Sequence, residues 1–366
     1  MIEVKTDSWL KKLSVPILAV LFGFLVGAII MLIFGYNPVH AYSEMILGVF
    51  ANPYSIGEAL TQGTLLIFTG LAFDIANKAG FFNIGLSGQF LIGWLSTIAF
   101  ALQFPDLPRI ALVSLSLIIG TAAGALYAGI AGFLRAYFGT SEVIVTIMLN
   151  HTILQISNYL TNFVLGSSSR TERVSENASL SMEWLTNLTD YSRLNIGFFM
   201  AIIVVVLYSV FMKYTTTGFE IKAVGLNPDA STYAGMSAKK NIILSMLISG
   251  GLAGLGGAIN GLGTFGNIFV IGVLPAEGFN GIAVALLGLG NPIGIVLSAI
   301  LFGILQTGAP FMASRAGVPN EMAEVVIAAI VFFVGAYYLV EWLFEKFGNR
   351  PAKGPSSADV EGGVDQ

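Results

Sequence analysis

Residues 15–34 read VPILAVLFGFLVGAIIMLIF, an apolar run of 20 residues without one ionisable side chain. As a helix rising about 1.5 Å per residue it is long enough to cross the hydrocarbon core of a bilayer, about 30 Å thick. The span reaches to residue 36, and further runs lie at 56–77, 84–102, 110–134, 142–163, 195–213, 241–262, 293–311 and 322–344. A shorter apolar stretch occupies 278–290. These runs do not alternate polar and apolar residues, which excludes the strands of a membrane barrel. Across 366 residues, 55% are hydrophobic and 10% charged, against about 25% charged in a soluble domain. The expected fold class is an all-α polytopic membrane protein.

Lys and Arg set the orientation, because they are retained on the cytoplasmic side. Lys5, Lys11 and Lys12 place the N-terminus inside, Lys213, Lys222, Lys239 and Lys240 mark a cytoplasmic loop at 214–240, and Lys346, Arg350 and Lys353 mark a cytoplasmic C-terminus. Both ends inside require an even number of crossings, whereas the long runs are odd in number. The stretch at 278–290 therefore completes a crossing as a short or broken helix, giving about ten transmembrane helices. On this topology the outside keeps only Arg109, Arg170, Arg173, Arg193 and Arg315 of the 17 basic residues. The chain divides into a cytoplasmic N-terminus at 1–14, a transmembrane domain at 15–344 and a Gly-, Pro-, Ser- and acid-rich tail at 345–366, read as disordered. The polar segment 164–194 is an external loop long enough to hold a small structured element. The N-terminal run has no small-residue cleavage site and reads as a retained helix, not a signal peptide.

Composition also narrows the chemistry. With no cysteine there are no disulfides, thiolate metal sites or Cys nucleophile, and His40 and His151 are the only histidines. Leu86-Ser-Gly-Gln89 is one glycine short of the LSGGQ signature of ABC ATPases. An ATPase also needs a Gly-rich phosphate loop ending in Gly-Lys, and no Gly-Lys dipeptide occurs. Gly261-Leu-Gly-Thr-Phe-Gly266 matches GxGxxG, but it ends an apolar run where a dinucleotide site would join a strand to a helix. Gly250, Gly254, Gly257 and Gly261 instead form a small-residue stripe that predicts close helix packing inside the bundle.

Polar side chains inside membrane spans face protein or a water-filled path. The candidates are Asp74 and Asn77, then Asn83, Ser87 and Gln89 on one side of the third span, and Asn150, His151 and Gln155 in the fifth. Amides and hydroxyls suit a neutral, hydroxyl-rich solute, and Phe81, Phe82, Phe279 and the neighbouring Asn280 could frame a base. Each polar group has an equally good alternative role, bracing a neighbouring helix. An ion-coupled secondary transporter would need a charged site, yet Lys78 lies one turn from Asp74 and can neutralise it. An intramembrane enzyme would need a base and a nucleophile, and His151 has no carboxylate nearby in sequence. Gly80-Phe-Phe-Asn-Ile-Gly85 and Gly278-Phe-Asn-Gly-Ile282 echo each other, as in a transporter built from an internal repeat.

The loop at 217–236 (TGFEIKAVGLNPDASTYAGM) has its own helix grammar: Asn227 as cap, Pro228 in the first position and Gly235 at the end. So short a helix at the membrane face has too little area to fold alone, and reads as a docking element for a cytoplasmic partner.

With these stretches the chain resembles the permease subunits of bacterial ABC importers, in the simple-sugar and nucleoside branch of the branched-chain-amino-acid-type permeases. The resemblance rests on Phe82-Asn-Ile-Gly-Leu-Ser-Gly-Gln89, Ser141-Glu-Val-Ile-Val-Thr-Ile-Met-Leu-Asn150, Ala223-Val-Gly-Leu-Asn227 with Tyr233-Ala-Gly235, Ser249-Gly-Gly-Leu-Ala-Gly254 and Gly281-Ile-Ala-Val-Ala-Leu-Leu-Gly288. These occur in family order over roughly residues 55 to 310. Many relatives carry Glu where this chain has Ser87, so no acidic role passes to that position.

The resemblance implies a transport subunit and not an enzyme, set in the bacterial cytoplasmic membrane. It implies a cytoplasmic ABC ATPase that binds ATP and Mg, a second and paralogous permease subunit, and an external substrate-binding lipoprotein. No cofactor is expected in this chain, and its other contacts are membrane lipid and the solute, not nucleic acid. The match looks nearest to nucleoside permeases of Gram-positive bacteria, with a simple sugar and then a riboflavin-like vitamin as the next substrates. The expected solute path comprises Asn83, Ser87, Gln89, Asn150, Phe82, Phe279 and Asn280. The coupling element comprises Gly225, Asn227, Pro228, Asp229, Tyr233, Ala234 and Gly235.

Overall fold

In the computed structural model, residues 9–166 and 169–335 are described, and the regular elements among them are helices. The proposed tail at 345–366, the end of the last run (336–344) and residues 1–8 of the N-terminal segment lie outside the described residues. In chain order the helices are α1 (Trp9–Ile33), α2 (Pro38–Phe50), α3 (Pro53–Lys78), α4 (Leu86–Gln103), α5 (Arg109–Phe138), α6 (Glu142–Leu160) and α7 (Glu183–Leu188). They continue as α8 (Gly197–Tyr214), α9 (Thr216–Leu226), α10 (Pro228–Tyr233), α11 (Ala238–Ile259), α12 (Ala276–Leu287), α13 (Pro292–Ala316) and α14 (Glu321–Gly335).

Among the described residues 8 helices, α1, α3, α4, α5, α6, α8, α11 and α13, are long and apolar enough to cross a membrane. They coincide with the first eight long runs of the sequence. The ninth run appears as α14, described over 15 residues. The short stretch becomes α12, whose 12 residues amount to about 18 Å, roughly half of the hydrocarbon core. A non-helical segment, residues 266–275, leads into it and pairs through Phe269 with Arg170 of the 164–194 loop. That loop holds α7 and is fastened to the spans: Glu58 of α3 accepts from the Arg193 backbone N–H (2.7 Å) and Nε (2.8 Å).

Helix α2 has no counterpart among the expected spans. Asn37 caps it through Oδ1, which accepts from the Val39 and His40 N–H groups at 3.0 and 3.2 Å. Ala41, Met45, Gly48 and Val49 form its buried face, which packs on α13.

The centre of the bundle has a crossed pattern. Helix α3 packs on α12 and α13, and α11 packs on α4 and α5, while α3 and α11 touch each other. The half-helix α12 and the opening of α4 meet where Gly278 lies against Ser87, with no room for a side chain at 278. The two echoing Gly-Phe motifs therefore flank one contact at the heart of the protein.

Candidate solute path and coupling element

Helix α3 ends at Lys78, and residues 79–85 fold back before α4 begins at Leu86. Asn83 thus lies in this loop and not on the helix with Ser87 and Gln89, correcting the single-face expectation. It reaches Gln89 because the loop curls over the first turn of α4. The two amides bond reciprocally, Asn83 Nδ2 to Gln89 Oε1 at 3.0 Å and Gln89 Nε2 to Asn83 Oδ1 at 3.1 Å. Asn83 Nδ2 also donates to Ser249 Oγ of α11 (2.9 Å), and its Oδ1 accepts from the Gly85 N–H (2.9 Å). Ser249 in turn donates to the Ala72 carbonyl of α3 at 2.6 Å.

Asn150 of α6 clamps the same loop from the other side. Its Nδ2 donates to the Ile84 carbonyl and its Oδ1 accepts from the Gly88 N–H, both at 2.9 Å. Asn83, Ser87, Gln89 and Asn150 are all buried. In this conformation three of these four brace the junction of α3, α4, α6 and α11. Ser87 is the exception: its hydroxyl is buried beneath Gly278 and has no hydrogen-bond partner among the described residues. Ser249 completes the network from α11, a span in which serine is one of few polar residues, and that scarcity is the signal in the sequence that points to it.

The aromatic candidates are placed differently. Phe82 and Phe279 are 43% and 47% exposed, Asn280 is half-buried and Phe81 is buried. Phe82 stands edge-on to Phe73 with ring centroids 5.1 Å apart.

Helix α6 separates its polar residues by face. Asn150, Thr146 and Ser157 point into the bundle, whereas Met148, His151, Thr152, Gln155 and Tyr159 are exposed along the opposite side. An exposed His, Thr and Gln in the middle of an apolar span are unsuited to lipid. The helix is also held to the segment leading into α12, since Asn158 exchanges two hydrogen bonds with Ile271 at 2.8 and 3.1 Å.

The loop at 214–240 forms two helices. Thr215 caps α9 by accepting from the Gly218 N–H (3.0 Å), and Asn227 caps α10 by accepting from the Ala230 N–H (2.9 Å). Pro228 is the first residue of α10, and Gly235, at φ +84°, ends the motif in a left-handed conformation. Asp229 and Ala234 are exposed, and Leu226 and Tyr233 stand out at 89% and 95% exposure. Gly225 lies at the root of this unit, its backbone directly against the Lys78 carbonyl and the Ala79–Gly80 peptide.

The family model described as the branched-chain amino acid transport system permease component matches residues 55–335. The chain belongs to this family. The permease is 48% identical over 343 residues to the nucleoside ABC transporter permease protein NupB of Lactococcus lactis subsp. cremoris (strain MG1363), covering 92% of this chain and 94% of NupB. It is 43% identical over 344 residues to the guanosine ABC transporter permease protein NupP of Bacillus subtilis (strain 168), covering 94% and 99% of the two chains. A second permease of the same Lactococcus strain, NupC, is 26% identical over 289 residues, covering 75% of this chain and 90% of NupC. No solved structure matches.

The bracing network makes a prediction about the permease fold. Replacing Asn83 with leucine strands the Gln89 amide and the Gly85 N–H in a buried site, at about 1–3 kcal/mol for each unsatisfied group. We expect the thermal midpoint of the purified permease to fall clearly for Asn83→Leu and far less for His151→Leu, which alters an exposed side chain. Equal midpoints would show that the network does not hold the loop.

Proposed function

We propose that this permease carries nucleosides across the cytoplasmic membrane as one of two permease subunits of an ABC importer. A separate ATPase, docked on α9 and α10, supplies the energy. The observation that carries the solute class is the 48% identity with NupB along nearly the whole of both chains. The match to both NupB and NupC of a single strain supports a paralogous second subunit. An external lipoprotein that delivers solute fits the braced outer loop at 164–194, and the Lys and Arg bias supports both termini in the cytoplasm. Binding of ATP and Mg is assigned to that ATPase, in keeping with the lack of a Gly-Lys phosphate loop in this chain.

For the path itself, the exposed face of α6 is the best-supported wall. His151, Thr152 and Gln155 offer donors and acceptors for a ribose or a base, and Phe82, Phe279 and Asn280 remain accessible for stacking and hydrogen bonding. Asn83, Gln89 and Asn150 act on the solute indirectly, by holding the loop from which Phe82 projects.

The test is uptake of labelled guanosine and uridine by cells with and without the gene. Loss of uptake is expected on deletion, with unlabelled nucleosides competing and ribose, galactose and riboflavin failing to compete. Gln155→Leu is expected to lower uptake on the order of tenfold, the loss of one hydrogen bond of about 1.4 kcal/mol, with the complex still assembled. Unchanged nucleoside uptake after deletion would overturn the solute class.

A further inference from the structure

Lys78 closes α3 at the end of the bundle that carries α9 and α10, and it makes two separate connections there. Its backbone carbonyl receives α9: any side chain at Gly225 would run into that oxygen, so the two elements touch backbone to backbone. Its ammonium bridges two other elements, donating to Asp74 Oδ2 at 2.5 Å and to the Gly290 carbonyl at 2.7 Å. Gly290 belongs to the tight turn between α12 and α13, in which Leu289 (φ +52°) and Gly290 (φ +64°) are both left-handed. Leucine in that region is disfavoured by its Cβ, so this turn is held in a conformation that aims its carbonyl at Lys78.

Asp74 is 2% exposed and accepts a second hydrogen bond on the same oxygen, from the Tyr208 hydroxyl of α8 at 2.5 Å. Helix α8 runs into α9 with only Thr215 between them. The coupling unit therefore reaches α3 by two routes, through Gly225 onto the Lys78 backbone and through Tyr208 onto its ionic partner. A buried ion pair is weak evidence of stability, because desolvation offsets the attraction. What this pair adds is a connection among four elements.

We propose that Lys78 is the residue through which movement of α9 and α10 reaches the adjoining ends of α3, α12 and α13. This rests on the reading of α10 as the ATPase dock, and it makes Lys78 a positioning residue with no contact to solute. The carbonyl of Gly290 is its switchable partner: release or retention of that bond sets whether the α12–α13 turn follows α3.

Lys78→Met alone leaves Asp74 buried without its cation and endangers folding. The informative variant is the double substitution Asp74→Asn with Lys78→Met, which keeps the shapes, removes both charges and deletes the bond to Gly290. The wild-type chain has no cysteine, so a spin-label pair at exposed Asn77 and Asn291 (Asn77→Cys, Asn291→Cys) reports the gap between α3 and the α12–α13 turn. The material is the intact complex, purified through a tag on this chain with its native ATPase and reconstituted in lipid nanodiscs for the distance measurement and in sealed proteoliposomes for transport.

In the wild-type background the label separation should change on adding ATP and vanadate. In the double variant that response should disappear, and solute transport per ATP hydrolysed should fall about tenfold, within the range of ordinary coupling energies. A merely structural ion pair would leave that ratio unchanged. A double variant whose labels and transport ratio respond as in the wild type overturns the proposal. So does a wild-type pair that ignores ATP; whether α10 docks the ATPase at all is read separately, by co-purification with a Tyr233 variant.

Discussion

Gly254→Leu is expected to abolish accumulation of the folded permease. At this level three helices meet through their backbones. A Cβ on Gly254 would stand 2.5 Å from the Gly120 carbonyl and 3.0 Å from Gly124 Cα, both on α5. A Cβ on Gly93 of α4 or on Gly124 would in turn run into the backbone of Gly254 itself. In a membrane, where lipid tails are as apolar as the side chains, such close approach and its van der Waals contact provide much of the drive for association. Overpacking in soluble cores costs about 1–3 kcal/mol when side chains can move aside. Here the obstacle is main chain, so α4, α5 and α11 must separate and the contacts between them are lost together. Gly272 is the control, because a Cβ there meets nothing within 4 Å. Fluorescence size-exclusion of tagged protein in mild detergent should show a wild-type peak for Gly272→Ala and none for Gly254→Leu. A normal peak for Gly254→Leu would mean that the close approach is dispensable.

That packing was legible in the sequence. The spacing of Gly250, Gly254, Gly257 and Gly261 predicts a face against protein, and all four are buried in α11 and the turn that ends it. The spans were legible for a similarly direct reason, since only long apolar runs can stand in a bilayer. Helix α2 was not. Its 13 residues, His40, Tyr42 and Glu44 among them, are too few to cross a bilayer. What makes it a helix is the Asn37 cap and the apolar side that α13 covers, and neither registers in a window set to find spans.

Within the spans, the sequence could nominate polar residues but could not assign their faces. Asn150 and His151 are neighbours in the chain, and about 100° of helical rotation separates them. That rotation sends Asn150 into the clamp on Ile84 and Gly88 and leaves His151 exposed. Which of the two looks inward depends on where α4 sits relative to α6, a tertiary fact. The loop at 79–85 is a second case. Counting residues from Asn83 to Ser87 presumes a helix that starts only at Leu86, and the true contact of Asn83 with Gln89 arises because the chain doubles back. Helix α10 was legible as a helix because its signals are local: a cap, a proline and a glycine within nine residues of each other act through their own backbone.

Tyr233→Asp is expected to separate the ATPase from the permease and to lower uptake by about two orders of magnitude, leaving the bundle intact. Tyr233 is 95% exposed and Leu226, just before the Asn227 cap, 89% exposed. Neither side chain is buried in the fold, so their loss should not unfold it. Tyr214 and Phe219, at 71% and 60% exposure, extend the apolar character of the same segment. Apolar groups this prominent, in a loop that also carries Asp229, Lys239 and Lys240, are what a docking surface for the proposed ATPase would offer. Buried aromatic anchors typically contribute about 2–4 kcal/mol to such an interface, equivalent to roughly 30- to 1000-fold in affinity, and a carboxylate in their place adds a desolvation penalty. Asn227 and Gly235 are unchanged in this variant, so α10 keeps its cap and its left-handed terminus. The measurement is recovery of ATPase with tagged permease from solubilised membranes, alongside uptake in the same cells. Retained ATPase with normal uptake would place the dock elsewhere on the chain. Retained ATPase with lost uptake would mean that Tyr233 acts after docking, in passing the stroke to Gly225 and Lys78.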